Sequence, residues 1–168
     1  MFTVYRVTRE SEYWKKACVY YIRLDEFVRE YDVGVAGEMD AMDTPETEYI
    51  LVMDEKGNPA STCRLHYLDE KTGKIERVST LKELRGTGAG SAAIRAAEEW
   101  LKENGIVTVM INSRDTAIGF YEKLGYQTDW SSHRTLGPDE KSPFHTPDGN
   151  PNWRTPHFGT VNTYKTLQ

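Results

Sequence analysis

The chain has little of what several functional classes require. Its 168 residues hold two cysteines, Cys18 and Cys63, which belong to no spaced Cys/His cluster. They read as free thiols, with no disulfide framework and no metal site expected. No stretch approaches the ~18 consecutive apolar residues of a membrane span, and MFTVYRVTRE has no apolar run behind a basic start. Membrane association and a secretory leader are therefore not expected, and a cytoplasmic location is. Positive charge is not in excess either: 21 Lys and Arg stand against 26 Asp and Glu, a net charge of −5. Nucleic acid is excluded as an expected partner, because gripping a phosphate backbone takes clustered cations.

What is present is concentrated between Lys74 and Gly125. The order is apolar strand, glycine-rich turn, amphipathic helix, apolar strand and short helix. In Arg85-Gly86-Thr87-Gly88-Ala89-Gly90, three glycines alternate just before the helix, so backbone N–H groups face outward with no Cβ blocking an approaching anion. A phosphate is the expected ligand. The turn is not a Walker A loop, since Gly90 is followed by Ser91 and Ala92 where Lys and Ser or Thr are needed. It is a poor dinucleotide fingerprint as well. The third glycine falls on Ser91, and Asn112, not an acidic residue, ends the next strand.

Arg85, Gly88 and Gly90 satisfy the pattern Arg/Gln-x-x-Gly-x-Gly/Ala, and Ala117 to Tyr126 (AIGFYEKLGY) fits a second segment one helix and one strand later. On these two motifs the chain resembles the GNAT superfamily of N-acetyltransferases. The resemblance covers roughly residues 3 to 130. Arg23, the acidic Glu38-Met39-Asp40 and the Glu76-Arg77 before the turn make it similar to the ElaA/YjcF-like branch. It implies acetyl-CoA as cosubstrate and direct transfer to a primary amine of a small molecule or peptide. A non-catalytic acyl-CoA-binding sensor is the alternative. The sequence is silent on oligomeric state, and a homodimer is compatible with it.

In order along the chain, Phe2 to Val7 reads as a strand. Glu12 to Tyr31 reads as a helix whose stripe is Tyr13, Ala17, Tyr20, Tyr21, Leu24, Phe27 and Val28. Asp32 to Glu48 reads as an irregular acidic loop, either solvated or facing an amine. Tyr49 to Met53 and Ser61 to Tyr67 flank the turn DEKGNP as a hairpin, and Asp69 to Gly73 turns into Lys74 to Val78. A helix from Ser91 to Glu103 burying Ala89, Ala93, Ala96, Ala97 and Trp100 then returns the chain to a parallel strand, Ile106 to Ile111. The expectation is one α/β (α+β) domain over residues 1–168, with a mixed, mostly antiparallel sheet. The resemblance adds a GNAT fold in which the two central parallel strands splay apart.

The same resemblance implies the site. Arg85, Gly86, Thr87, Gly88, Ala89, Gly90 and Ser91 would hold the pyrophosphate. Arg77, Val78 and Ser79 would pair with pantetheine as an added strand, and Asn112 and Arg114 match positions that bind the pantetheine arm or the adenosine side. Tyr121 matches the family's proton donor to the leaving thiolate, or is a packed aromatic. Glu76 is either the base or the partner of Arg77, Arg64 or Lys74 in an ion pair. Glu38, His66 and His157 are candidates on the acceptor side. From Asp129 onward five of the seven prolines crowd between Pro138 and Pro156, so 131–156 reads as a long loop, its aromatics favouring an ordered flap. A terminal strand is expected at 157–167.

Overall fold

A computed structural model describes residues 1–30, 34–136 and 158–168. Seven strands form one sheet: β1 (Thr3–Val7), β2 (Glu48–Met53), β3 (Pro59–Tyr67), β4 (Thr72–Thr80), β5 (Thr108–Arg114), β6 (Gln127–Leu136) and β7 (Phe158–Thr166). Their order is β1-β2-β3-β4-β5-β7-β6. Every neighbouring pair is antiparallel except β4 and β5, whose parallel pairing follows from the crossover through helix α3 (Ala89–Glu103).

Two apolar layers sandwich the sheet. On one face Ile94, Ala93, Ala97, Trp100 and Leu101 of α3 pack on Ile50, Val52, Ile75, Val109 and Ile111. On the other, Val19 and Ile22 of helix α1 (Tyr13–Arg23) pack on Val7, Tyr49 and Leu51. Covered on both faces, β2 is apolar at successive positions. The small alanines of α3 bring that helix close to the sheet, as expected. Glu98 of α3 is half-buried and accepts a hydrogen bond from the Tyr126 hydroxyl (2.8 Å) and one from Lys165 Nζ (2.9 Å).

The first helix departs from its reading. Regular α geometry stops at Arg23, and a π-helical segment continues from Leu24 to Glu30. Its buried face is Val19, Ile22, Arg23 and Phe27, while Tyr13, at 96% exposure, Ala17 and Tyr21 point outward. Buried Arg23 is the physical reason, because it draws its face toward a set of carboxylates. Arg23 Nε donates to Glu38 Oε1 (2.7 Å), and its Nη1 and Nη2 donate to Asp43 (2.6 and 3.0 Å). Arg64 Nη1 and Arg77 Nη2 donate to Asp40 (2.7 and 2.9 Å). In residues 34–48, which include the short helix α2 (Val35–Glu38), the carboxylates Glu38, Asp40 and Asp43 are thus turned inward in ion pairs rather than left solvated.

The tail also needs correction. Residues 127–136 form β6, so the expected loop at 131–156 begins with a strand. Tertiary pairing with β7 overrides the polar local composition. Between Asp129 and Arg134 the ladder slips and four residues, Trp130 to His133, loop out. The terminal strand forms as expected, lying between β5 and β6. The proline-rich remainder of the expected loop, and His157, lie outside the described residues.

Candidate active site

The parallel pairing of β4 with β5 is short: Thr72 with Thr108, Gly73 with Val109, and Lys74 with Met110. Beyond Lys74 the strands part, as the splayed arrangement requires. A bulge on β4 drives the divergence. On the β3 side Arg64 pairs with Glu76 and Thr62 with Ser79, so Cys63 alone opposes Arg77 and Val78. Arg77 takes φ +51°, the one positive φ at a non-glycine among the described residues. Such a backbone costs about 1–3 kcal/mol and persists where the surroundings over-determine it. Here the Arg77 guanidinium reaches both Asp40 and Glu38.

The gap is a cleft of 390 Å³ with Glu76, Arg77 and Val78 on one wall and Asn112 and Arg114 on the other. It continues into a second cleft of 510 Å³ at the glycine turn, lined by Arg85, Gly86, Gly88, Gly90 and Ser91. Glu26, Val78, Thr116, Ala117 and Tyr121 line both. A larger groove of 710 Å³ between the end of α3 and β7 contains none of these residues.

Gly88 adopts φ +95° and caps α3. A side chain there would be strained whatever the space. The first intrahelical bond runs from Ala92 N–H to Gly88 O (2.9 Å), leaving the N–H groups of Ala89, Gly90 and Ser91 without partners inside the helix. A Cβ on Gly90 would sit 3.2 Å from Thr80 Oγ1 and 3.4 Å from the Phe120 ring, so this turn also packs tightly from behind. Helix start and open donors together suit an anion. Arg85, first residue of the motif, makes a bidentate pair with Glu30 (2.8 and 2.6 Å) and approaches Glu26 (3.5 Å).

Tyr121, on the short helix α4 (Ile118–Lys123), is nearly buried against Phe120 and Tyr126 beneath the junction of the clefts. Burial, with Cys63 and Glu26 nearby, pushes its phenol well above the ordinary range, so it stays protonated at neutral pH. Glu76 has two cations and an imidazole around it: Arg64 Nη2 at 3.3 Å, Lys74 Nζ at 3.5 Å and His66 Nδ1 at 3.2 Å. Of the partners expected for it, Arg77 turns instead to Glu38 and Asp40.

Some expected site residues sit elsewhere. Glu38 is fully buried beneath Arg23, so it does not face the cleft; the acidic residue of that segment which does is Asp40. Ser79 is buried, its hydroxyl directed at Ile22 O (3.3 Å), while Thr87 and Ala89 do not line the turn cleft. His66 touches Glu76 without lining the gap. Cys63 is buried and burial raises its thiol, which leaves it a poor nucleophile.

Glu26 was not expected. Burial pushes its carboxyl up to about 7; Ser79, Arg85 and Arg114 oppose that rise, and Glu30 adds to it. In the sequence it shares the interval between Leu24 and Phe27 with a second carboxylate, Asp25, and nothing local tells the two apart.

An anion-binding helix start opening into a gap between parted parallel strands defines a class of proteins that hold an acyl-CoA thioester. The chain belongs to the acetyltransferase (GNAT) family, whose sequence profile matches residues 10–126. Members use acetyl-CoA as cosubstrate and act on amine acceptors. Among relatives is YjcF of Bacillus subtilis, itself an uncharacterised N-acetyltransferase. It is 32% identical over 122 residues, spanning 72% of this chain and 83% of YjcF. YyaT of the same organism, also uncharacterised, is 37% identical over 108 residues, 63% of this chain and 72% of its own. A crystal structure from Lactobacillus plantarum bearing an N-acetyltransferase name superimposes with TM-score 0.76 at 28% identity, covering 99% of both chains. Escherichia coli ElaA, at 17% identity and TM-score 0.69 over 96% of this chain and 99% of its own, shares the fold.

Proposed function

We propose that this chain transfers an acetyl group directly from acetyl-CoA to a primary amine of a small molecule or peptide, in the cytoplasm. One observation carries the reading: the cleft at the glycine turn, with its open N–H groups, and the gap beside Val78 adjoin, sharing Glu26, Val78, Thr116, Ala117 and Tyr121 in their linings. In this reading Arg85 to Ser91 hold the pyrophosphate, and the β4 backbone from Arg77 to Ser79 receives the pantetheine amides. A β4 N–H at Val78 polarises the thioester carbonyl. Tyr121 gives its proton to the departing thiolate. Asn112 and Arg114 face the pantetheine from β5. Asp40 and Glu76 attract the cationic acceptor, with His66 behind Glu76.

A second reading, a sensor that binds acyl-CoA without turnover, draws on the ion pairing of Glu76. Calorimetric titration with acetyl-CoA and CoA, followed by thiol release across polyamines, aminoglycosides, amino acids and lysine peptides, separates the two. Binding with turnover on one amine class is the expected result. Binding alone favours the sensor, and no binding removes both.

A further inference from the structure

The cleft holds a second carboxylate, Glu26, about as buried as Glu76 (12% against 14% side-chain exposure) but set at a different place along it. Glu76 is met by two cations, Arg64 and Lys74, and by the His66 imidazole within 3.5 Å on the acceptor wall. Glu26 comes from the π-helical segment and lines both clefts, where the turn cleft and the strand gap meet beside Val78 and Tyr121. Arg85 approaches its Oε1 at 3.5 Å, and its Oε2, like Oε1 of Glu76, is buried with no hydrogen-bond partner among the described residues. A buried acceptor atom with no donor is costly unless something brings it a proton.

We propose that Glu26, rather than Glu76, accepts the proton of the acceptor ammonium, a step that rests on the acetyltransferase reading above. The ammonium loses one proton to the Glu26 carboxylate. Its freed lone pair forms the C–N bond as the C–S bond breaks. The sulfur takes the Tyr121 proton, the phenolate recovers one from the nitrogen, and Glu26 returns its own to solvent. Amide, thiol and one proton result, so atoms and charges balance.

The surroundings suit this role. Glu30 on the same segment, Arg85 on the turn and Arg114 on β5 are the charged groups around Glu26, with the hydroxyls of Ser79 and Tyr121. Burial outweighs the two cations and sets the carboxyl at about 7, where a base both holds and releases a proton readily. The raised value has a stability consequence. Charging Glu26 costs the folded state above the ordinary carboxyl range, so E26Q is expected to melt no lower than wild type at neutral pH and above.

The test compares two probe amines by thiol release: ethylamine, an ammonium at neutral pH, and trifluoroethylamine, already a free base. E26Q is expected to lose about 100-fold in kcat with ethylamine and only a few-fold with trifluoroethylamine. E76Q should weaken both alike and keep the wild-type acidic limb. Equal losses in E26Q on both amines, or an acidic limb that disappears in E76Q instead, would overturn the assignment while leaving the acetyltransferase reading intact. If the wild type binds no acetyl-CoA and turns over neither amine, that reading fails and the assignment of Glu26 falls with it. Where acetyl-CoA binds, carbon-13 NMR of labelled glutamate carboxyls is a second check: a resonance absent from E26Q that titrates in the ordinary carboxyl range overturns the assignment, and one titrating near 7 agrees with it.

Discussion

The two walls of the cleft are built on opposite principles. The glycine turn is local: Gly86, Gly88 and Gly90 lie within a few residues of one another, and their effect is on the backbone they belong to. The acidic wall is assembled from afar. Arg23 on α1, Glu38 and Asp43 on the connecting segment, Arg64 on β3 and Arg77 on β4 neutralise one another across the sheet, with Asp40 and Glu76 at the cleft edge. A phosphate needs only donors at a helix start, which a short motif supplies. An acceptor site for a cation needs buried carboxylates, and these stand only where cations from other elements meet them.

Substitutions on each wall should fail differently. Gly88→Glu puts a Cβ at φ +95° and a negative charge into the turn, and is expected to abolish CoA binding in calorimetry with acceptor-side stability little changed. Unaltered affinity would remove the turn from the site. On the other wall, Arg23→Ala leaves buried Glu38 and Asp43 without their main partner, and should destabilise the fold by about 3–5 kcal/mol in denaturant titration. A loss under ~1 kcal/mol would mean the network is decorative.

Between the walls, Tyr121→Phe removes only the hydroxyl. Turnover is expected to fall by about 10²-fold with CoA affinity held within a few-fold; an unchanged rate would return Tyr121 to the core. Acid sharpens the contrast further. Burial works against the Asp43 carboxylate, but Arg23, Tyr49 and Arg64 overcome it and hold the group far below its ordinary range. A carboxyl so depressed stabilises the fold above its unfolded pKa, and that stability is lost as pH falls through the folded value. Wild type should therefore lose stability below the ordinary aspartate range more steeply than Asp43→Asn does. Parallel acid curves would contradict this. The smallest effect is expected for Glu30→Gln, which loosens a half-exposed pair with Arg85 and should cost under ~1 kcal/mol while leaving the helix content intact.

Much of the fold was legible. The apolar run of β2, the break at Gly57-Asn58-Pro59 before β3 and the alanine-rich face of α3 are local signals, and all led to the right elements. The two motifs around Gly88 and Tyr121 located the clefts. The aromatic stripe of the first helix misled, because Tyr13, Ala17 and Tyr21 look apolar at helical spacing whereas the buried position is held by a charged residue, Arg23. Glu38, expected at the acceptor, is the partner that makes burying Arg23 tolerable. β6 escaped notice because its residues are polar and it gains order from β7, some thirty positions later in the chain.

By itself the sequence determined where backbone donors are left open for a phosphate, which segments are strand or helix, and which tyrosine follows the second parallel strand. These depend on φ preferences and short-range periodicity, which are properties of neighbouring residues. Only the tertiary structure decided which carboxylates face the cleft and which lie buried in ion pairs. It also placed Glu26 at the junction of two clefts. Burial and charge pairing depend on groups that fold together from distant positions, and no local pattern encodes them.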